Sequence, residues 1–147
     1  KHPGLNYRMD EIGAAIGSVQ LKKLPEGNTR RGELTERYRY NIKKSKVLIP
    51  FKKQSESLKS VYHILPVLLP ENTDRVEVIE AMKHKKIQTS IHYPPFWSFS
   101  AYQGQFTSND SPITSNIAQR QLTLPLFPTM LEDEVDKVCD ALLDALA

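Results

Sequence analysis

The N-terminal part of the chain carries apolar side chains three and four positions apart, which is the spacing of one face of an α-helix. These side chains are Ile12, Ala15, Ile16, Val19 and Leu24. Asp10 precedes them and can cap the helix, because its carboxylate accepts hydrogen bonds from the free amide groups of the first turn. Pro25 and Gly27 interrupt the pattern. We therefore predict a first helix that ends near Leu24 and a second helical segment that continues to about Lys44.

The middle of the chain alternates between strand-like and helix-like patterns. Residues 47–49 and 61–69 are almost continuously apolar, which predicts two strands, and Pro66 places the longer one at an edge or a bulge. The rest of residues 45–60 is a polar, lysine-rich loop. A helix is predicted over 74–85, capped by Asn72 or Thr73. Its expected buried side chains are Val76, Ile79 and Met82. A further strand is predicted over 87–92.

The C-terminal part ends in the most regular pattern of the chain. A helix is predicted over 112–121, a short strand over 122–124, and a final helix over 131–146 that Thr129 can cap. Cys139 lies on the apolar stripe of this final helix, so we expect a buried small side chain rather than a reactive thiol. Together the elements predict an α+β fold, with a small, mainly antiparallel sheet of three or four strands packed with helices. We expect a single domain over residues 1–147.

The composition is that of one globular domain. The chain has 147 residues, of which 39% are hydrophobic and 25% charged. No apolar segment approaches the roughly 20 residues that a membrane-spanning helix needs, so no membrane partner is expected. A net charge of +3 is compatible with an anionic ligand but too small to indicate a nucleic acid partner. The single cysteine cannot form an internal disulfide, which favours a reducing, cytoplasmic setting.

Asn6 and Arg8 are the first candidate site residues. They lie just before the first helix, where an amide, a guanidinium and free backbone N–H groups can hold an anion such as a phosphate. The alternative is a plain entry of the chain into the helix. The chain opens Lys1-His2-Pro3-Gly4 without a methionine and leads directly into this segment. We therefore expect it to be a piece of a longer protein.

His92 and Tyr93 are the second candidate pair. They end a predicted strand and are followed by two prolines, an arrangement that can direct polar groups at a ligand. Three aromatic residues follow the prolines: Phe96, Trp97 and Phe99. These side chains can line a pocket for a ring. The alternative is a loop fixed by aromatic packing. The four histidines show no metal-ligand spacing, so no metal site is predicted.

Five segments, in order, resemble the C-terminal domain of the DegT/DnrJ/StrS family of PLP-dependent nucleotide-sugar aminotransferases, which have fold type I and belong to the aspartate aminotransferase superfamily. The first is Gly4-Leu5-Asn6-Tyr7-Arg8-Met9 with the helix after it, and the second is Gln20-Leu21-Lys22-Lys23-Leu24 with Arg30-Arg31. The others are Tyr62-His63, the segment 87–95, and Leu124-Pro125-Leu126-Phe127-Pro128. The resemblance covers nearly the whole chain. In the family, a glycine usually ends the helix where this chain has Lys86.

The resemblance implies a dimeric enzyme that transfers an amino group, usually from glutamate, to a keto group of a nucleotide-linked sugar, as in cell-surface polysaccharide biosynthesis. It implies that Asn6 contacts the phosphate of pyridoxal 5'-phosphate (PLP) in the neighbouring subunit, with Arg8 close behind. His92 and Tyr93 would line the sugar-nucleotide site. The lysine that forms a Schiff base with PLP lies, in the family, in a large domain before this segment. This chain therefore has no catalytic residue of its own and is expected to be inactive alone.

Two hypotheses follow. The first is a fragment of a sugar aminotransferase, which predicts an apolar surface left exposed near the first helix where the large domain would pack. The second is a free-standing binding or regulatory domain of the same fold without catalysis. An RNA-binding module is a third possibility, supported only by the mild excess of basic residues.

Overall fold

The computed structural model describes residues 4–50 and 60–147. Its helices are α1 (Glu11–Ile42), α2 (Arg75–His84), α3 (Pro112–Arg120) and α4 (Glu132–Asp144), and its strands are β1 (Leu65–Leu68) and β2 (Gln121–Leu124). Three short 3-10 turns lie between α2 and α3. The predicted α+β class is confirmed. The predicted lysine-rich loop falls largely on residues 51–59, outside the described residues.

α1 is one continuous helix, so the predicted break at Pro25 is wrong. Asp10 caps it as expected, accepting a hydrogen bond from the Gly13 amide at 2.7 Å. A proline inside a helix costs about 3 kcal/mol through its missing N–H and its ring. The second half of α1 offsets this cost, because its buried face, which includes Leu34 and Tyr38, belongs to the hydrophobic core.

The sheet has two antiparallel strands within the described residues, rather than three or four. Leu65 pairs with Leu124, and Leu68 pairs with Gln121. Single bridges extend the sheet on each side, between Leu48 and Leu68 and between Ser90 and Thr123. The segments predicted as strands at 47–49 and 87–92 thus each contribute one bridge. Only residues 65–68 of the predicted strand over 61–69 are in regular pairing.

α2 begins one residue later than predicted, and two of its three predicted buried side chains, Ile79 and Met82, pack in or against the core as expected. Asp74, not Asn72 or Thr73, is the cap, and its carboxylate accepts from the amide of Val76 at 2.7 Å. Val76 is 65% exposed, whereas Val78 and Met82 are buried. Lys86, two residues after the end of α2, has a left-handed conformation with φ of 62°. Glycine adopts this left-handed conformation without the steric cost that a Cβ adds, so the turn would accept glycine here.

One hydrophobic cluster lies between the sheet and the helices α1, α2 and α4. The cluster includes Leu65 and Val67 of β1 and Leu122 and Leu124 of β2. Along each strand these residues alternate with residues that face the other side of the sheet. Cys139 of α4 is buried in it, and burial raises the pKa of its thiol to about 11. The expected burial of Cys139 is therefore confirmed. Thr129 does not cap α4; the helix starts after Leu131, whose amide donates to the Glu134 carboxylate at 2.7 Å.

The first half of α1 exposes its apolar face. Ile12 is 75% exposed, Ile16 58% and Val19 50%. Leu5, Tyr7 and Met9, in the segment that enters the helix, are more exposed still. The predicted exposed apolar surface near the first helix is therefore present. No helix in residues 4–50 or 60–147 is both long and apolar enough to cross a membrane.

Candidate functional site

The segment before α1 presents Asn6 and Arg8 to solvent. The side-chain oxygen of Asn6 accepts a hydrogen bond from the Arg8 amide at 3.2 Å, which fixes the turn between them. This leaves the Asn6 amide NH₂ and the Arg8 guanidinium without a hydrogen-bond partner among the described residues. Both groups are donors only, so they can bind an anionic oxygen from outside this chain.

The bridge between Ser90 and Thr123 places the second candidate pair. The two residues exchange both backbone hydrogen bonds, at 3.1 Å and 2.8 Å. His92, two positions after Ser90, therefore returns to the same face of the sheet as Thr123. The rings of His92 and Tyr93 meet edge to face at 5.0 Å, across a cis peptide bond. His92 is half-buried, while Tyr93 is 74% exposed and faces solvent.

Behind His92 lie two buried polar side chains of β2. Nδ1 of His92 is 3.0 Å from the hydroxyl oxygen of Thr123. The same oxygen accepts a hydrogen bond from the side-chain amide of Gln121, also at 3.0 Å. Gln121 is 6% exposed and Thr123 is 5% exposed. These three side chains form a hydrogen-bonded row along one face of the sheet.

The structure does not join the two candidate pairs. Among the described residues, no hydrogen bond, ion pair or ring contact links Asn6 or Arg8 to His92 or Tyr93. Sequence reasoning missed the row behind His92. Its one signal was the alternation of polar and apolar residues in Gln121-Leu122-Thr123-Leu124, which places two polar side chains on the face opposite the core.

The aromatic residues after the two prolines pack against one another. Phe96 contacts Trp97, Tyr102 and Phe106 edge to face, with ring centroids 5.2 Å, 5.7 Å and 5.2 Å apart. Such pairs add about 0.5–1.5 kcal/mol beyond burial of their area. The arrangement favours a loop fixed by its own aromatic packing over an open pocket for a ring. Phe99 remains 48% exposed.

A cleft of about 800 Å³ lies between the end of α2, the Ser90 edge of the sheet and α4. Ile87, Phe127 and Val138 are among its apolar lining residues. Two lysines at its rim are neutralised by their own ion pairs, Lys85 with Asp144 at 2.5 Å and Lys137 with Asp133 at 2.8 Å. Within the described ranges, no three His, Cys, Asp or Glu side chains lie close enough together to hold a metal ion.

Comparisons with known proteins give the family of the chain. The sequence profile of the DegT/DnrJ/EryC1/StrS aminotransferase family matches residues 1–143. The chain is 34% identical over 149 residues to the spore coat polysaccharide biosynthesis protein SpsC of Bacillus subtilis, in a match that covers 97% of this chain and 38% of SpsC. Helicobacter pylori PseC, an aminotransferase involved in the biosynthesis of pseudoaminic acid, is 26% identical with a TM-score of 0.82.

The PseC match covers 99% of this chain and 40% of PseC. The PLP form of Spr1654 from Streptococcus pneumoniae superposes with a TM-score of 0.85 over 95% of this chain and 36% of that one. At 24% identity, this likeness shows the fold alone. The chain thus spans less than half the length of each of these three proteins.

Proposed function

The chain belongs to the DegT/DnrJ/EryC1/StrS aminotransferase family, and from this premise we propose that it is the small domain of a nucleotide-sugar aminotransferase. The complete enzyme transfers an amino group from an amino acid such as glutamate to a keto group of a nucleotide-linked sugar. The chain contributes residues that bind the sugar nucleotide and the cofactor phosphate, and it lacks the lysine that binds PLP. The descriptions of SpsC and PseC, which refer to the biosynthesis of spore coat polysaccharide and of pseudoaminic acid, support a sugar substrate.

The observation that carries the proposal is the exposed apolar face of α1. Ile12, Ile16 and Val19 lie on this face and are at least half exposed, although each is of a residue type that is normally buried. Because SpsC is more than twice as long as the matched segment, we assign this face to a large domain in the rest of the protein. A free-standing binding or regulatory domain would leave the same face in water.

The described residues fit PLP only as part of a shared site. Asn6 and Arg8 offer an amide and a guanidinium that have no hydrogen-bond partner among the described residues, which suits a phosphate group. Both side chains lie on an exposed segment and do not enclose a ring. We therefore propose that they bind the phosphate of PLP held mainly by the neighbouring subunit of a cytoplasmic homodimer. When bound, PLP supplies the electron sink for moving the amino group.

His92 and Tyr93 have a different role in the proposal. Their rings are held edge to face at the end of the Ser90 bridge, with Tyr93 open to solvent. Tyr93 can stack or hydrogen-bond with a sugar nucleotide, and His92 can orient it through a ring nitrogen. Orientation of this kind lowers the entropic cost of reaching the reactive geometry.

A chimera tests this function directly. This chain would replace the matching part of SpsC, so that the SpsC large domain supplies the rest of the protein. We expect the chimera to retain PLP and to convert it to its amino form when glutamate is added, which a change in visible absorption reports. The double variant Asn6→Leu, Arg8→Met should lose PLP on dialysis, whereas Lys83→Gln, at an exposed position of α2, should retain it. A folded chimera that does not react with glutamate, beside an active intact SpsC, would contradict the proposal.

A further inference from the structure

We propose that Thr123 and Gln121 are positioning residues that fix the tautomer of His92, with the proton of its neutral ring on Nε2. The inference rests on the proposed function, in which His92 lines the sugar-nucleotide site. It assigns His92 a defined chemical role there, as an N–H donor to an oxygen acceptor of the substrate.

The backbone fixes where the three side chains lie. Ser90 and Thr123 exchange two backbone hydrogen bonds, so the segment that carries His92 is held against β2. Residues two apart on a strand share a face, which puts Gln121 and Thr123 on the side opposite the core and next to His92. Both are at least 94% buried, so water does not compete for their hydrogen bonds.

The position of each proton follows from counting donors. The Gln121 amide donates to the Thr123 oxygen at 3.0 Å, which uses one lone pair of the hydroxyl. The hydroxyl still has one hydrogen to donate. Among residues 4–50 and 60–147, its one remaining hydrogen-bond neighbour is Nδ1 of His92, at 3.0 Å. If Nδ1 carried the proton, both lone pairs of the hydroxyl would be occupied and its buried hydrogen would have no acceptor among these residues. We therefore assign Nδ1 as the acceptor and place the proton of the neutral ring on Nε2.

This arrangement prepares His92 for binding. Its Nε2 makes no hydrogen bond to any residue in the described part of the chain, so the N–H is available to a ligand. The edge-to-face contact with Tyr93, at 5.0 Å, restrains the ring from the other side. A donor held in place selects an acceptor oxygen, such as a sugar hydroxyl or a diphosphate oxygen, and loses little rotational freedom when it binds.

The nitrogen NMR spectrum of the histidine-labelled 147-residue chain tests the assignment without any substrate. We expect His92 to show a pyridine-type Nδ1 and a pyrrole-type, protonated Nε2 in the neutral ring. A protonated Nδ1 would overturn the proposal, because the Thr123 hydroxyl would then accept from the ring and donate to Gln121.

Two variants test whether Thr123 causes the assignment. Thr123→Val removes the hydroxyl at constant shape, and we expect the His92 nitrogen signals to shift towards the average of the two tautomers. Thr123→Ser keeps a hydroxyl and should restore the wild-type spectrum. An unchanged spectrum in Thr123→Val would contradict a positioning role. The spectra do not depend on the chimera, so failure of the tautomer assignment and failure of the aminotransferase function give separate results.

Discussion

The hydroxyl of Tyr38, on the buried half of α1, donates a hydrogen bond of 2.9 Å to the carbonyl of Pro125, the residue directly after β2. Tyr38 is 0% exposed, and burial raises the pKa of its hydroxyl, so the group stays protonated and remains a donor. The contact ties the long helix to the end of the strand that carries Gln121 and Thr123.

Tyr38→Phe should therefore lower the free energy of unfolding by about 1–2 kcal/mol, because the Pro125 carbonyl loses its donor in a largely dry environment. Tyr40→Phe is the matched control. Tyr40 is 67% exposed, and its ring keeps its contact with Lys43 in the variant. Urea unfolding of both variants measures the difference, and equal losses would show that the Pro125 contact contributes nothing.

Lys86→Gly should stabilise the chain. Lys86 has φ of 62°, which costs a residue with a Cβ about 1 kcal/mol or more and costs glycine almost nothing. We expect the free energy of unfolding to rise by about that amount. His84→Gly, within α2, should lower it by about 1 kcal/mol instead. If both changes lowered stability in chemical unfolding, the left-handed conformation of Lys86 would be wrong.

Two glycines of α1 should respond differently to alanine. A Cβ at Gly17 meets no atom within 4 Å, so Gly17→Ala should stabilise the 147-residue chain by about 1 kcal/mol through helix propensity. A Cβ at Gly32 would lie 3.0 Å from the ring of Tyr62, which would have to move. Gly32→Ala should therefore show no such gain. Equal increases in the thermal midpoint would contradict the packing of Tyr62 on α1.

Acid should weaken the contact between α1 and α4. The Arg37 guanidinium hydrogen-bonds both carboxylate oxygens of Asp136, at 2.7 Å and 2.5 Å, and Asn41 adds a third bond at 2.7 Å. These bonds, that of Arg37 foremost, hold the pKa of the Asp136 carboxyl below its ordinary value. A depressed folded-state pKa gives stability that is present above the unfolded-state pKa, about 3.9, and is lost as pH falls through the folded-state value.

Thermal midpoints measured against pH test this linkage. The wild-type midpoint should fall more steeply below about pH 4 than that of Asp136→Asn, which has no carboxyl to protonate. Arg37→Met should flatten the profile in the same way, because it removes the partner that lowers the pKa. Parallel profiles for the wild type and both variants would show that the pair does not stabilise the folded chain.

The sequence predicted elements whose signals are local. α4 has a regular apolar stripe, and Asp10 caps α1 from one turn away, so both were found. The break at Pro25 was wrong because tertiary burial of Leu34 and Tyr38 outweighs a local signal. For α2, Ile79 and Met82 were predicted correctly, but Val76 was wrong because Val76 and Val78 fit the helical period about equally well, and contacts with the core decide between them.

The candidate site shows the same limit. Asn6, Arg8, His92 and Tyr93 came from local motifs and a family resemblance, and their roles remain predictions. The contact between His92 and Thr123 joins residues 31 positions apart, through a single bridge that no local pattern encodes. Pairing over such a separation depends on the packing of the whole sheet, so the structure was needed to find it.

The most direct test of the account is to mix the 147-residue chain with PLP, reduce the mixture with borohydride and map any modified lysine by mass spectrometry. The account predicts weak labelling scattered over exposed lysines, because the cofactor-binding lysine lies in another part of the enzyme. Stoichiometric labelling of one lysine would show that this chain holds a cofactor site of its own, and would contradict its assignment as the small domain of a divided active site.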